Sequence, residues 1–278
     1  EINTKNNLPA QIEIVNEGEN NEYKFYFIAK GGGSANKTFF FQPTPSLLKS
    51  KNLETYLIEK IINIGTSACP PYHLAIVIGG LSAEMNLKTL KLASSHFLET
   101  LPKTGNDLGI AFRDYTMESS IFKKTINLKI GAQFGGKYFC HDVRVIRLPR
   151  HGASLPISIG VSCGADRQAI GKINEQGVFL EKLEKNPAKY LPKVKTNLLS
   201  KKEIKINLDK PIKNTLKELS KLKIKTRVSL TGTMVVARDI AHSKLKNKLD
   251  KGQKLPSYFL KYPIYYAGPA KTPKGFNT

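Results

Sequence analysis

The chain contains no tryptophan, three cysteines and three methionines in 278 residues. Three cysteines are too few for a secreted disulfide framework, and an odd number leaves one unpaired, so a reducing intracellular compartment is expected, mitochondrial matrix or cytosol. No run approaches the roughly 18 apolar residues that a spanning helix needs, so no membrane association is expected and the protein should be soluble. Methionine is absent from the first position, and no arginine-rich leader or signal-type block precedes Glu1, so the start reads as a cut.

Acidic residues are also scarce, 22 against 44 basic ones, giving a formal net charge of +22. Such an excess suits a nucleic-acid-binding module, the reading from a different class. Its distribution argues otherwise: 37 lysines are spread through nearly every segment without interleaved aromatics, so no nucleic-acid partner is expected. Arginine is the rarer cation, with seven residues and none before Arg113. In so lysine-rich a chain, each retained guanidinium marks a place where a planar, bidentate fork is needed.

A 40% hydrophobic composition over this length can bury a substantial core, in one large or two modest domains. Alternation or short apolar runs predict strands at 11–15, 23–29, 72–78, 121–130, 140–148, 155–162 and 225–236. Helical spacing predicts helices at 45–64, 82–96, 212–222 and 238–249. The fold class is therefore mixed α/β. From 182 to 208 the chain turns polar, lysine-rich and proline-punctuated, which sets domains at 1–190 and 206–278 with a linker at 191–205.

Two cysteines sit in loops suited to presenting a thiolate: Gly65-Thr66-Ser67-Ala68-Cys69-Pro70-Pro71 and Gly160-Val161-Ser162-Cys163-Gly164-Ala165-Asp166-Arg167. Small residues on one side of each sulfur admit a bulky object, while prolines or glycine on the other break regular structure. Such loops suit a metal cluster. Zinc is the weaker alternative: Cys69 and His73 have a zinc-like spacing and Cys140-His141 offers a second pair, but Pro70 and Pro71 interrupt any helix between the first two, and Cys140 lies in a strand-like run. A nucleophilic cysteine aided by His151 lacks an orienting third group.

Lys30-Gly31-Gly32-Gly33-Ser34-Ala35-Asn36-Lys37 exposes backbone amides to an anion or is simply a permissive turn; it has neither Walker nor dinucleotide spacing. Arg147-Leu148-Pro149-Arg150-His151-Gly152 brings two cations and an imidazole together, close in sequence to Cys163. Near the end, Thr231-Gly232-Thr233 and Ala237-Arg238-Asp239-Ile240-Ala241-His242 mark a strand-to-helix passage where an arginine can clamp a carboxylate.

Taken in order, these segments, with Tyr266-Ala267-Gly268-Pro269-Ala270, resemble the class I, iron-sulfur-dependent fumarases. The resemblance implies reversible hydration of fumarate to (S)-malate on a [4Fe-4S] cluster whose open iron acts as a Lewis acid, in a homodimer with a C4 dicarboxylate substrate. It implies a cluster-binding α/β domain, present here as its C-terminal portion, followed by the start of a swivelling β/β/α domain. By position, Cys69 and Cys163 match two of the three cluster ligands. Gly33, Asn36, Lys37 and Gln42 match the substrate-binding glycine loop, His151 the catalytic histidine, and Arg238, with Arg227 as the fallback, the substrate arginine. The family's first ligand cysteine and its later Thr-Thr-Ala-Gly-Arg segment have no counterpart, so these residues are expected to be an internal portion of a larger enzyme, inactive alone. An L-tartrate dehydratase of the same architecture is the nearest alternative.

Overall fold

A computed structural model describes residues 10–16, 18, 21–48, 52–132, 137–165, 168–182, 184–186, 189, 203–223 and 226–266. The chain divides into two units, Glu1–Leu183 and Glu184–Thr278. The first unit runs β1 (Glu22–Ile28), α1 (Gly32–Asn36), β2 (Thr38–Phe41), a 3₁₀ turn (Pro45–Leu48), α2 (Asn52–Ile62), β3 (Tyr72–Gly80), α3 (Ala83–Ala93), β4 (Phe112–Arg113), α4 (Tyr115–Asn127), β5 (Cys140–Arg150), β6 (Ile157–Ser162), β7 (Gln168–Asn174) and β8 (Gly177–Leu180). The second runs β9 (Ile204–Asn207), α5 (Ile212–Ser220), β10 (Val228–Thr231), β11 (Val235–Val236), α6 (Asp239–Asp250), α7 (Ser257–Lys261) and β12 (Ile264–Tyr265). The architecture is mixed α/β, as the sequence periodicities predict.

Five strands of the first unit form one sheet in the order β2-β6-β3-β5-β4. β3 is its axis, and apart from His73 every residue of that strand is buried. A strand covered on both faces reads as a continuous apolar run rather than an alternation. Leu74, Ile76 and Ile78 face one way, toward Leu57 and Ile61 of α2 and Ile121 of α4. Ala75 and Val77 face the other way, toward Leu90 and Ala93 of α3. A side chain at Gly160 of β6 would come within 2.8 Å of Leu90 Cδ2, so the glycine lets α3 lie close against the sheet. β1, β7 and β8 form a separate antiparallel sheet.

Several sequence expectations are corrected. Residues 121–130, read as a strand, lie mostly in α4, because Asp114 caps its start by accepting from the Met117 amide and Ile121 and Thr125 repeat at helical spacing on the buried face. Residues 11–15 form no strand. The expected strand at 225–236 is two short ones, interrupted at Gly232, whose φ is +133°. The lysine-rich stretch expected as linker reaches into a real strand: most of 191–205 lies outside the described residues, but 204 and 205 belong to β9, which pairs in parallel with β10. No described helix is long and apolar enough to cross a membrane.

Candidate metal centre

Strand direction brings the sequence-distant loops together. β6 runs antiparallel to both β2 and β3, with Thr38 opposite Gly160 and His73 opposite Ser162. The end of β6 therefore lies beside the starts of β2 and β3, so Cys163, the glycine turn ahead of β2 and the Cys69 loop ahead of β3 share one end of the sheet. β5, parallel to β3, adds Cys140 and His141 at the same end.

The loops touch. A Cβ placed on Gly33 would lie 3.7 Å from Ala68 Cα, and Lys37 Nζ donates to Ser67 Oγ at 2.9 Å. The Cys69 loop is tied from below by Tyr72, whose hydroxyl accepts from the Ala68 amide at 3.1 Å and donates to the Gly65 carbonyl at 3.0 Å. Burial pushes the Tyr72 phenol up to about 12, so it serves as a neutral hydrogen-bonding post. Cys69 itself has φ +64°, a left-handed conformation that costs a non-glycine residue about 1–2 kcal/mol. On the facing side, a Cβ at Gly164 would fall 2.8 Å from His141 Nε2 and 3.2 Å from the Pro71 carbonyl oxygen. Gly164→Ala should therefore pry the two cysteine loops apart, at about 1–3 kcal/mol in urea unfolding.

All three thiols are free, but they are not equivalent. Cys69 and Cys163 are half-buried, whereas Cys140 is buried and desolvation pushes its thiol up to about 12. A thiolate is the form that binds metal, so Cys140 is the poor donor of the three. Lys30 sits beside Cys163: burial, then repulsion from Lys91, pushes its ammonium down to about 8 while the cysteine's charge opposes the drop. Lys30 Nζ donates to Ser94 Oγ at 2.6 Å.

Behind this end stands an ionic network absent from the motif reading. His73 Nδ1 lies 2.9 Å from Asp142 Oδ2, His96 Nε2 lies 3.4 Å from the same oxygen, and the His141 ring stacks on His73 with centroids 5.4 Å apart. Burial alone would raise the Asp142 carboxyl, but the His73 hydrogen bond and the His96 ring close by outweigh it and hold the group well below the usual carboxylate range. Arg144 Nε donates to Glu99 Oε1 at 2.6 Å, and Arg113 joins Glu99 to Glu118. His73, Cys140 and His141 are legible as possible ligands, but Asp142 and His96 come together with them only through the β3–β5 register and the turn after α3.

The other expected site residues divide by position. Gly33, Lys37, Cys69 and Cys163 meet at the cysteine end. Asn36 is exposed in α1, a single helical turn, where Asn36 Nδ2 donates to the Gly32 carbonyl at 2.9 Å. Gln42 is exposed just past β2, at the opposite end of that strand from the glycine turn. His151 follows β5, whereas the cysteine loops lie at the start of the parallel β3, roughly 25–30 Å away at 3.3 Å per residue. Closeness in sequence to Cys163 thus does not put His151 next to that sulfur within one chain, because β6 intervenes. Arg150 braces the His151 turn by donating from Nη1 to the carbonyls of His151, Gly152 and Ser154 at 2.9–3.0 Å. His151 Nδ1 accepts from the Ala153 amide at 3.2 Å, which leaves Nε2 to carry the proton of the neutral ring.

Most arginines of the first unit serve protein partners. Arg113 and Arg144 grip carboxylates, Arg147 donates to Asp114 Oδ2 from Nε and Nη2 at 3.0 and 2.8 Å, and Arg167 lies outside the described residues. In the second unit, exposed Arg238 precedes α6 and lines an open depression with Val236, Ala237, Ile240 and Lys244. The fallback, Arg227, has Nε 3.6 Å from Glu203 Oε2.

A glycine turn and two thiol loops at one sheet end, followed by a second small α/β unit, define a two-part protein with a candidate metal centre. Residues 1–172 match the family model described as fumarate hydratase, and residues 177–278 match that of the fumarase C-terminus. The chain belongs to the fumarate hydratase family. It is 55% identical over 276 residues to the aerobic class I fumarate hydratase of Escherichia coli K12, covering 99% of this chain and 50% of that protein. It is 54% identical over 277 residues to the mitochondrial fumarate hydratase 1 of Leishmania major, with the same coverage. A putative L(+)-tartrate dehydratase subunit alpha from Methanocaldococcus jannaschii is more distant, 32% identical over 62% of this chain and 59% of its own. The chain thus spans about half the length of the fumarate hydratases it matches.

Proposed function

We propose that these residues form part of a hydro-lyase that reversibly hydrates fumarate to (S)-malate, with a [4Fe-4S] cluster held by Cys69, Cys163 and a third thiolate from outside this chain. The observation that carries the reading is the meeting of both half-buried cysteine loops with the Gly33 turn at one sheet end. The donor set fits such a group: soft sulfur ligands in accessible loops, while the buried Cys140 is unsuited to replace the missing one. When bound, the cluster would supply a Lewis acid for the hydroxyl and carboxylate of the substrate.

The chain's own residues then have distinct tasks. Gly33 leaves space against the Ala68 backbone for one end of a dicarboxylate, and Lys37, steadied by Ser67, supplies a positive charge there. Lys30 offsets the negative charge that thiolates bring to the site. Arg238, presented ahead of α6, is the proposed guanidinium for a substrate carboxylate. Asn36 and Gln42 complete the proposed binding set, and His151 is proposed to hold a proton on Nε2 for exchange with the substrate carbon. Since His151 and the cysteine loops of one chain lie at opposite sheet ends, we propose a homodimer in which a second copy supplies the missing group. The compartment proposed is reducing, mitochondrial matrix or cytosol, and the 278-residue chain by itself is proposed to be inactive.

The test is anaerobic purification of the full-length protein, followed by iron and sulfide analysis, the visible absorption spectrum, and turnover of fumarate beside L-tartrate. Four iron and four sulfide per chain with preferred fumarate turnover is the expected result. Preferred tartrate turnover would move the assignment to the tartrate dehydratases, and a protein without iron or sulfide would end the cluster reading.

A further inference from the structure

We propose that His73, His96 and Asp142 form a second metal site, separate from the cysteine loops, for one divalent first-row transition ion such as Zn²⁺, Co²⁺ or Fe²⁺. One ligand atom from each residue lies within 4.8 Å of those of the other two. Two imidazoles and one carboxylate are the three-ligand set that leaves open coordination positions on such an ion. Metal–ligand distances of about 2.0–2.2 Å put tetrahedral ligand atoms about 3.3–3.6 Å apart, so an ion would spread His73 Nδ1 from Asp142 Oδ2, now 2.9 Å away, and draw in the widest pair, at most 4.8 Å apart.

Two buried atoms at the site have no hydrogen-bond partner. His96 Nε2 is buried and, although 3.4 Å from Asp142 Oδ2, has no hydrogen bond of acceptable geometry; Asp142 Oδ1 is likewise buried without one. A buried polar atom without a partner is costly, and native structures leave few of them. His96 has φ +64° as the left-handed residue that closes α3: its amide donates to the Ala93 carbonyl at 3.3 Å and the Phe97 amide donates to the Leu92 carbonyl at 3.1 Å, and this helix end places the ring beside Asp142. A cation between the three groups would use one nitrogen of each imidazole and the carboxylate.

The charge balance points the same way. Apart from the imidazoles of His73 and His96, which also contact Asp142, the connected network contains three carboxylates, Asp142, Glu99 and Glu118, and two guanidiniums, Arg113 and Arg144. One negative charge is left, and Asp142 carries it: Arg144 reaches Asp142 Oδ1 only at 3.6 Å while donating to Glu99 at 2.6 Å. Asp142 and both histidines are partly exposed, so an ion has a way in. The set also differs chemically from the cysteine loops: nitrogen and oxygen donors suit a borderline ion, whereas the thiols suit an iron-sulfur cluster. The site therefore stands whether or not fumarate is the substrate.

The test uses the full-length protein with Cys69 and Cys163 both changed to serine, which removes the thiol route, titrated anaerobically with Co²⁺ and then with Zn²⁺. One equivalent of Co²⁺ is expected to bind with micromolar or tighter affinity, giving a visible d–d spectrum without a sulfur-to-cobalt charge-transfer band. Zn²⁺ is expected to displace it and to raise the melting temperature. His96→Gly, which suits the left-handed backbone, and Asp142→Asn are each expected to weaken binding at least about tenfold, since even groups outside the coordination shell cost that much. Each variant's melting temperature is compared with and without Zn²⁺, so a change in basal stability does not obscure the readout. Absence of one-equivalent binding, a thiolate band in the cobalt spectrum, or unchanged affinity in either variant would overturn the proposal.

Discussion

On the proposed function, Cys69→Ser and Cys163→Ser, made singly in the full-length protein, are expected to lower fumarate turnover on the order of a thousandfold or more and to remove the visible iron-sulfur absorption. Cys140→Ala should leave both within a factor of a few. The contrast follows from the environments of the three sulfurs. Cys69 and Cys163 lie in half-buried loops that meet at one end of the sheet, and a hydroxyl in place of either thiolate is a poor ligand for iron. The lost Lewis-acid stabilisation is worth several kcal/mol, and each 1.4 kcal/mol is about tenfold in rate. Cys140 is enclosed at the start of β5 opposite Tyr72, and desolvation keeps it protonated. Its replacement by alanine should cost only about 1 kcal/mol of stability. Retention of a full cluster in either serine variant, or its loss in Cys140→Ala, would show that the ligand set has been misassigned.

The sulfur-bearing loops were readable because their chemistry is written locally: small residues, prolines and glycine around Cys69 and Cys163 need no tertiary information to suggest an unusual backbone. What brings them together is not local. It depends on β6 pairing antiparallel to both β2 and β3, and strand order has no signature in a single sequence. The same limit explains His151, which is near Cys163 along the chain but separated from it by the length of a strand. Periodicity failed where two patterns overlap. The stretch after Asp114 carries enough isoleucine and phenylalanine to imitate a strand, and the deciding signal was the capping aspartate followed by buried positions Ile121 and Thr125. β9 was hidden by composition: Ile204-Lys205-Ile206-Asn207 alternates correctly, but the surrounding lysines made it look like linker. Asp142 and His96 could not be paired from sequence, since one lies on β5 and the other in the turn after α3.

The arginine bias does find its structural counterpart, and Arg113 shows how. It is one of the few buried charged residues of the first unit, and its guanidinium makes the bidentate contact that lysine cannot: Nε to Glu118 Oε1 at 3.0 Å and Nη2 to Glu118 Oε2 at 2.8 Å, with Nη1 donating to Glu99 Oε2 at 2.6 Å. Glu118 Oε1 also accepts from the Val145 amide at 3.0 Å, so the pair pins the start of α4 to the middle of β5. Arg113→Met keeps most of the side-chain volume but leaves the Glu118 carboxylate buried without its countercharge. The expected loss is about 3–5 kcal/mol in urea unfolding, a large share of the stability of a domain this size. Arg113→Lys should recover only part of it, because a single ammonium cannot serve two carboxylates in the same fork. Arg113→Met combined with Glu118→Gln should recover most of it, since the amide is uncharged and its oxygen can still accept from Val145. If Arg113→Met unfolds within 1 kcal/mol of the parent, or if Glu118→Gln fails to rescue it, then apolar packing rather than this ion pair fixes α4 against the sheet, and the scarcity of arginine in this chain carries no structural information at that position.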